Sequence, residues 1–194
     1  MNNSYVQVYA LDLDTKQLKM SCDLLYKHIV DSIDKSNIGI DTGSVTTQLF
    51  NQYNLLLYPF AEFHKLYHEI CKVFDTICNQ DENYYIQCWL NYYTYNQYID
   101  WHKHFDPEDQ TWHGFVCVDC KDSKTSYKLP DGTELDVPSI DGNMVISKSN
   151  GDIHRTYPWP YKDSPRITIA FDIVPWHKIQ WGTNHWAPVR KYNV

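Results

Sequence analysis

The segment Tyr98-Ile-Asp-Trp-His-Lys-His-Phe-Asp106 holds two histidines and two carboxylates within nine residues. Read as a β-strand, its period of two sets Asp100, His102, His104 and Asp106 on one face. Imidazoles and carboxylates make a poor core face, because each costs free energy when buried unpaired. They make a good metal face, because each offers a lone pair to a divalent ion. A strand of this kind is equally compatible with plain solvent exposure, and Asp106-Pro107 with an ordinary turn. Two distant residues weigh against that reading. His154 follows His104 by fifty positions, and Arg166, twelve positions further on, opens an apolar strand.

Two histidines and a carboxylate on adjacent coordination positions are the usual donor set of non-haem Fe(II) oxygenases. In such a set two ligands commonly stand two residues apart on one strand, and the third comes from a strand across the sheet. His102, His104 and Asp106, taken with His154, supply one donor more than the set requires.

The order and spacing of these residues resemble the 2-oxoglutarate- and Fe(II)-dependent dioxygenases, specifically the prolyl-hydroxylase-like branch. The family motif is H-x-D or a variant, then a distal His, then Arg in R-x-S or R-x-T. This chain has His102-Lys-His104, His154 and Arg166-Ile-Thr168. Gly142-Asn-Met-Val-Ile146 and Arg166-Ile-Thr-Ile-Ala-Phe-Asp172 resemble the two closing strands of the family, and the likeness runs from about Tyr84 to Pro175. The chain departs from the pattern at the carboxylate, and two registers are open. In one, His102, His104 and His154 form a three-histidine site, which the lead-in Tyr95-Asn-Gln-Tyr-Ile-Asp-Trp-His102 favours. In the other, His104-Phe-Asp106 is the literal H-x-D and His102 stands behind it. Three neutral imidazoles would leave Fe(II) its full charge of +2, whereas a carboxylate would reduce it to +1.

The resemblance implies Fe(II), 2-oxoglutarate as cosubstrate and molecular oxygen. It implies hydroxylation of a substrate, a protein side chain such as proline or a small molecule, with release of succinate and carbon dioxide. Arg166 would hold the distal carboxylate of 2-oxoglutarate, since a guanidinium fork matches a planar carboxylate. Thr168 shares its face, and Tyr127 and Asn91 are further candidates near the cosubstrate. His113, Trp101 and Arg155 are candidates for the substrate pocket, and Gly114 for a close approach of cosubstrate to backbone. The alternative is a cupin-like metal-binding jelly roll that is non-catalytic or uses no 2-oxoglutarate.

The elements that must carry these residues can be read from periodicity. Tyr5 to Leu11 alternates as a strand. Ser21 to Asp34 has helical spacing with Ser21 or Asp23 as a cap, and Thr46 to Leu57 and Phe60 to Cys78 are two further expected helices. His64 and His68 have ligand spacing on the last of these, without an HExxH context, and are expected to be a surface or semi-buried pair rather than a metal site. From Tyr84 the pattern becomes strand-like. Strands are expected at 84–95, 98–105, 111–119, 124–129, 134–137, 143–147, 152–157 and 165–174, with Pro130-Asp-Gly132 as a turn. The expected fold is α+β and mainly β, a double-stranded β-helix (jelly roll) with an N-terminal helical layer. It is a single domain over 1–194: a strand and helical support in 1–80, a jelly-roll core in 84–175 and a C-terminal tail in 176–194.

At 194 residues and 43% hydrophobic content the chain can bury a sizeable core. A net charge of −7 disfavours a nucleic-acid partner. No apolar run nears the roughly 20 residues of a bilayer span, and no signal-like leader opens the sequence. The six cysteines have no framework spacing and are expected to be free thiols, so the expected location is cytoplasmic. Cys117-Val-Asp-Cys120 has CxxC spacing, but on a strand positions i and i+3 face opposite ways.

Overall fold

A computed structural model describes residues 5–32, 43–78, 82–179 and 185–191. Its strands are β1 (Val6–Ala10), β2 (Tyr84–Tyr93), β3 (Trp112–Asp119), β4 (Lys124–Lys128), β5 (Glu134–Pro138), β6 (Asn143–Lys148), β7 (His154–Thr156), β8 (Arg166–Pro175) and β9 (Ala187–Pro188). Its helices are α1 (Thr15–Ser32), α2 (Val45–Gln48) and α3 (Ala61–Ile77). The strands form two antiparallel sheets. The larger runs β1-β6-β3-β8-β2-β9 and the smaller β5-β4-β7. This is a mostly-sheet α+β architecture.

The helices cover one face of the larger sheet. α1 buries Leu18, Cys22, Leu25 and Ile29, and α3 buries Phe63, Leu66, Ile70 and Phe74. Both series recur every three or four residues, so each makes one apolar stripe. α1 packs on β2 and β3 and also contacts α3, and Phe74 sets its ring edge-on to Tyr84 and Trp112. α1 starts six residues before the expected Ser21. Its first turn is capped by Asp14, whose carboxylate accepts from Lys16 N and Gln17 N, both at 3.1 Å. The expected helix over 46–57 is instead the single turn α2 followed by short 3-10 turns at Phe50–Gln52 and Leu55–Leu57. Asn54 breaks it: its amide reaches Ile86 O and its side-chain oxygen accepts from Leu56 N and Cys88 N, tying the segment to β2. Of the turn-rich stretch over 36–43, only Gly43 lies within the described residues.

The other face of the larger sheet looks toward the smaller one. Alternation along β8 sends Ile167, Ile169, Phe171 and Ile173 into the core, and leaves Arg166, Thr168, Ala170 and Asp172 lining a cavity between the sheets. β2 pairs with β8 along its whole length and adds Trp89, Asn91 and Tyr93 to the same face.

No regular strand forms over 98–105. The segment does run antiparallel to 154–159, but unevenly: Asn96 N donates to Trp159 O, Thr156 N to Ile99 O, and His102 and His154 exchange both backbone hydrogen bonds. The pairing shifts by one residue between Ile99 and His102, so no continuous ladder builds up. A bulge between Cys117 and Asp119 likewise breaks alternation on β3, and Cys117 and Cys120 are both buried free thiols rather than facing opposite ways. The turn after β4 is as expected, with Gly132 at φ 84°, where glycine carries no side-chain clash.

Gly114 corrects an expectation. A Cβ there would stand against the Phe171 ring and 2.6 Å from Val145 O, so the missing side chain makes room for the core, not for cosubstrate. Gly114→Ala is expected to destabilise the protein by about 1–3 kcal/mol through overpacking. A lowered denaturant midpoint at unchanged slope would show it.

Candidate metal centre

The backbone pair between His102 and His154 brings two of the sequence-identified histidines together, with ring centroids 4.2 Å apart. His104 completes a group in which one ligand atom from each of His102, His104 and His154 lies within 4.8 Å of the others. Each ring has its Nδ1 against an oxygen. His102 Nδ1 faces Asp100 O at 2.8 Å, His154 Nδ1 faces Asp152 O, and His104 Nδ1 faces Asp172 Oδ2 at 3.2 Å. A carbonyl or an ionised carboxylate only accepts, so Nδ1 carries the proton in all three rings and Nε2 keeps its lone pair. His104 Nε2 is buried and has no hydrogen-bond partner. An orphaned buried acceptor beside two more imidazoles fits a divalent metal, which would use all three lone pairs.

Asp106 is not in this group. Its side chain is 62% exposed and its carboxylate is 2.5 Å from Lys103 Nζ. Asp100 is exposed as well. Of Asp100, His102, His104 and Asp106, the uneven pairing turns only the two histidines into the cavity.

Sequence reasoning missed Asp172 as a site residue. It lies on β8, 6% exposed, and its carboxylate also accepts from His113 Nδ1 at 2.9 Å. His113 stacks on His104 at a centroid distance of 3.7 Å and lines the cavity. His104, His113 and Asp172 form a second group with ligand atoms within 4.8 Å. The available signal was a lone acid in the apolar run Ile169-Ala-Phe-Asp-Ile-Val174. Its function could not be read without knowing what stands across from it.

Burial lowers the pKa of His102 to about 4, that of His113 to about 3, and that of His154 well below its ordinary value. His104 moves the other way. Burial pulls it down, but the field of Asp172 and the hydrogen bond to it outweigh burial and raise it. Burial works to raise Asp172, and the opposing effects of His104 and then His113 hold its carboxyl below the usual range.

The cavity has a volume of about 480 Å³, within the span of ~300–1,000 Å³ usual for small-molecule sites. Away from the histidines it is lined by Arg166, which is 2% exposed. The guanidinium donates to Ser123 Oγ at 3.1 Å, Ser139 Oγ at 3.4 Å and Thr125 Oγ1 at 3.5 Å, all neutral hydroxyls. Among the described residues it has no carboxylate partner. A buried guanidinium without a counter-charge carries a penalty on the order of several kcal/mol, which an anionic ligand would remove. Thr168 lines the cavity on the same face, and Asn91 Nδ2 reaches its hydroxyl at 3.4 Å. Tyr127 stands opposite His154 in the β4–β7 register, fully buried.

Trp101 and Arg155 do not line the cavity. They pack on each other outside the smaller sheet, with the guanidinium 4.5 Å from the Trp101 ring centroid. Arg155 is next to His154 on β7, and alternation sends it to the opposite face. The apolar wall is instead built by Phe50, Trp89, Phe115 and Trp186, and the Trp186 Nε1–H has no partner among the described residues. His64 and His68 form an exposed pair on α3, Nε2 to Nε2 at 3.0 Å.

No protein-family model and no curated protein matches the chain. Solved structures do. A prolyl hydroxylase from Trichoplax adhaerens, in complex with a hypoxia inducible factor peptide fragment, superposes with a TM-score of 0.64 at 10% identity, covering 89% of this chain and 84% of that one. A Pseudomonas putida prolyl-4-hydroxylase gives 0.56 at 13% identity, with 88% and 86% covered. HygX from Streptomyces hygroscopicus, with nickel and 2-oxoglutarate bound, gives 0.60 at 12% identity, with 91% and 84% covered. The chain therefore has the prolyl-hydroxylase-like fold of the 2-oxoglutarate/Fe(II) oxygenases. Among the described residues, no helix is long and apolar enough to cross a membrane.

The buried Tyr127 hydroxyl has no hydrogen bond of ordinary geometry. Tyr127→Phe is therefore expected to leave the unfolding midpoint unchanged or slightly raised, because it removes an unsatisfied polar group. A loss of unfolding free energy of more than about 1 kcal/mol in urea would contradict this.

Proposed function

We propose that this protein is a 2-oxoglutarate-dependent non-haem Fe(II) oxygenase that hydroxylates a protein side chain such as proline, or a small molecule. One observation carries the reading: a single cavity has three histidines converging at one part and a buried arginine without a counter-charge at another. In this reading the two sheets are the halves of a double-stranded β-helix, and the chain is one domain with a helical support layer.

His102, His104 and His154 would hold the iron. Bound there, iron supplies the activation of oxygen that couples decarboxylation of 2-oxoglutarate, giving succinate and carbon dioxide, to hydroxylation of the substrate. The remaining roles belong to the chain. The backbone oxygens of Asp100 and Asp152 and the carboxylate of Asp172 hold the three Nδ1 protons, so the Nε2 lone pairs stay available. Arg166 binds the distal carboxylate of 2-oxoglutarate and Thr168 adds a hydroxyl beside it. The apolar wall of Phe50, Trp89, Phe115 and Trp186 keeps water from the reacting groups and offers a face to substrate.

The second group, His104 with His113 and Asp172, is a literal two-histidine, one-carboxylate set. Hydrogen bonding argues against it as the ligand set. His104 Nδ1 and His113 Nδ1 both donate to the Asp172 carboxylate, so the three groups already satisfy one another.

Anaerobic titration of the Fe(II)-loaded protein with 2-oxoglutarate should produce a weak visible charge-transfer band. Normal iron loading with no such band would remove the proposal and leave the cupin-like alternative. Arg166→Ala should weaken 2-oxoglutarate binding by roughly 10- to 100-fold, the equivalent of ~1.5–3 kcal/mol for charge-assisted hydrogen bonds. Its metal stoichiometry should not change. His102→Ala should lose metal and Asp106→Ala should keep it; the reverse outcome would restore the register in which Asp106 is the ligand.

A further inference from the structure

We propose that Asp172 is a positioning residue for the metal, a carboxylate outside the ligand set that fixes His104 and returns the negative charge three histidines lack. The inference rests on the ligand assignment above and adds a residue and a role to it.

Asp172 is buried in an apolar strand, where an ionised carboxylate is costly unless its oxygens are used and its charge is balanced. Its oxygens are used by His104 Nδ1 and His113 Nδ1. Its charge is not balanced by any lysine or arginine among the described residues; its only ion-pair contacts are those two imidazoles. With three neutral histidines and Asp172 the site carries −1. A dication would bring it to +1, the same total as an ordinary two-histidine, one-carboxylate set. The carboxylate has moved one bond network outward, and the hydrogen bond to His104 transmits it to the metal by making that imidazole a stronger donor. His113 serves the same carboxylate. It occupies the second oxygen and lies flat on His104, 3.7 Å away, which restrains the ring plane.

The test uses metal-free full-length protein and Co(II) alone, followed by its visible d–d bands, with circular dichroism to confirm folding. Asp172→Asn keeps an acceptor and removes the charge. It is expected to weaken Co(II) binding about 10- to 100-fold and to shift the bands, and Asp172→Glu is expected to recover most of the affinity. Asp172→Asn binding within threefold of wild type with unchanged bands would overturn the proposal and leave the three-histidine assignment standing. Loss of stoichiometric binding in Asp172→Asn and His113→Ala, with His102→Ala still binding, would make Asp172 a ligand and overturn both. If the Asp172 variants do not fold, the Zn(II)-loaded wild type decides by histidine ¹⁵N NMR. A solvent-protected proton on His104 Nδ1 supports the proposal, and its absence overturns it.

Discussion

Two reciprocal backbone hydrogen bonds, His102 N to His154 O at 3.1 Å and His154 N to His102 O at 3.0 Å, are the contact on which the site depends. They join a segment that has no regular strand of its own to the short strand β7. With the bonds of Asn96 and Ile99 to the same stretch, they hold His102 and His104 at the edge of the smaller sheet. The pairing also exposes the neighbouring carbonyls in useful directions. Asp100 O and Asp152 O each turn back onto the imidazole two residues later in the same strand segment, His102 and His154. The backbone thus places the rings and also chooses their tautomers, because a carbonyl has no proton to give.

The cavity is electrostatically polarised along its length. At the histidines an anionic Asp172 is shared by two imidazoles; elsewhere Arg166 is surrounded by hydroxyls with no anion. Both charges come from β8 and stand six residues apart on one face of that strand. Each is uncompensated within the described protein, and each lies far too deep for water to screen well. A cation at one place and an anion at the other would neutralise both.

Much of the architecture was legible because it is local. The stripe of Phe63, Leu66, Ile70 and Phe74 marks α3, and alternation marks β2, β3, β6 and β8 to within a few residues. The segment over 46–57 was misread because its apolar spacing is helical while Asn54 spends its amide on β2, a tertiary contact that outweighs helical propensity. Trp101 and Arg155 stand outside the cavity for a related reason. Adjacency to a ligand in sequence means the opposite face on a strand, and the irregular pairing around Trp101 could not be foreseen from composition.

Residue types and spacing by themselves singled out His102, His104, His154 and Arg166 as candidates, because the donor chemistry of imidazole and guanidinium is intrinsic to the side chain. They left open which of His102 and Asp106 belongs to the group, and they passed over Asp172 entirely. Only the tertiary structure separates these cases. Asp106 leans out to Lys103, while the pairing of β8 with β3 sets Asp172 opposite His113, and its carboxylate meets the Nδ1 of His104, 68 residues earlier in the chain. Lone pairs are a property of residues, but which of them converge is set by strand register, and register is decided by contacts between segments far apart in the chain.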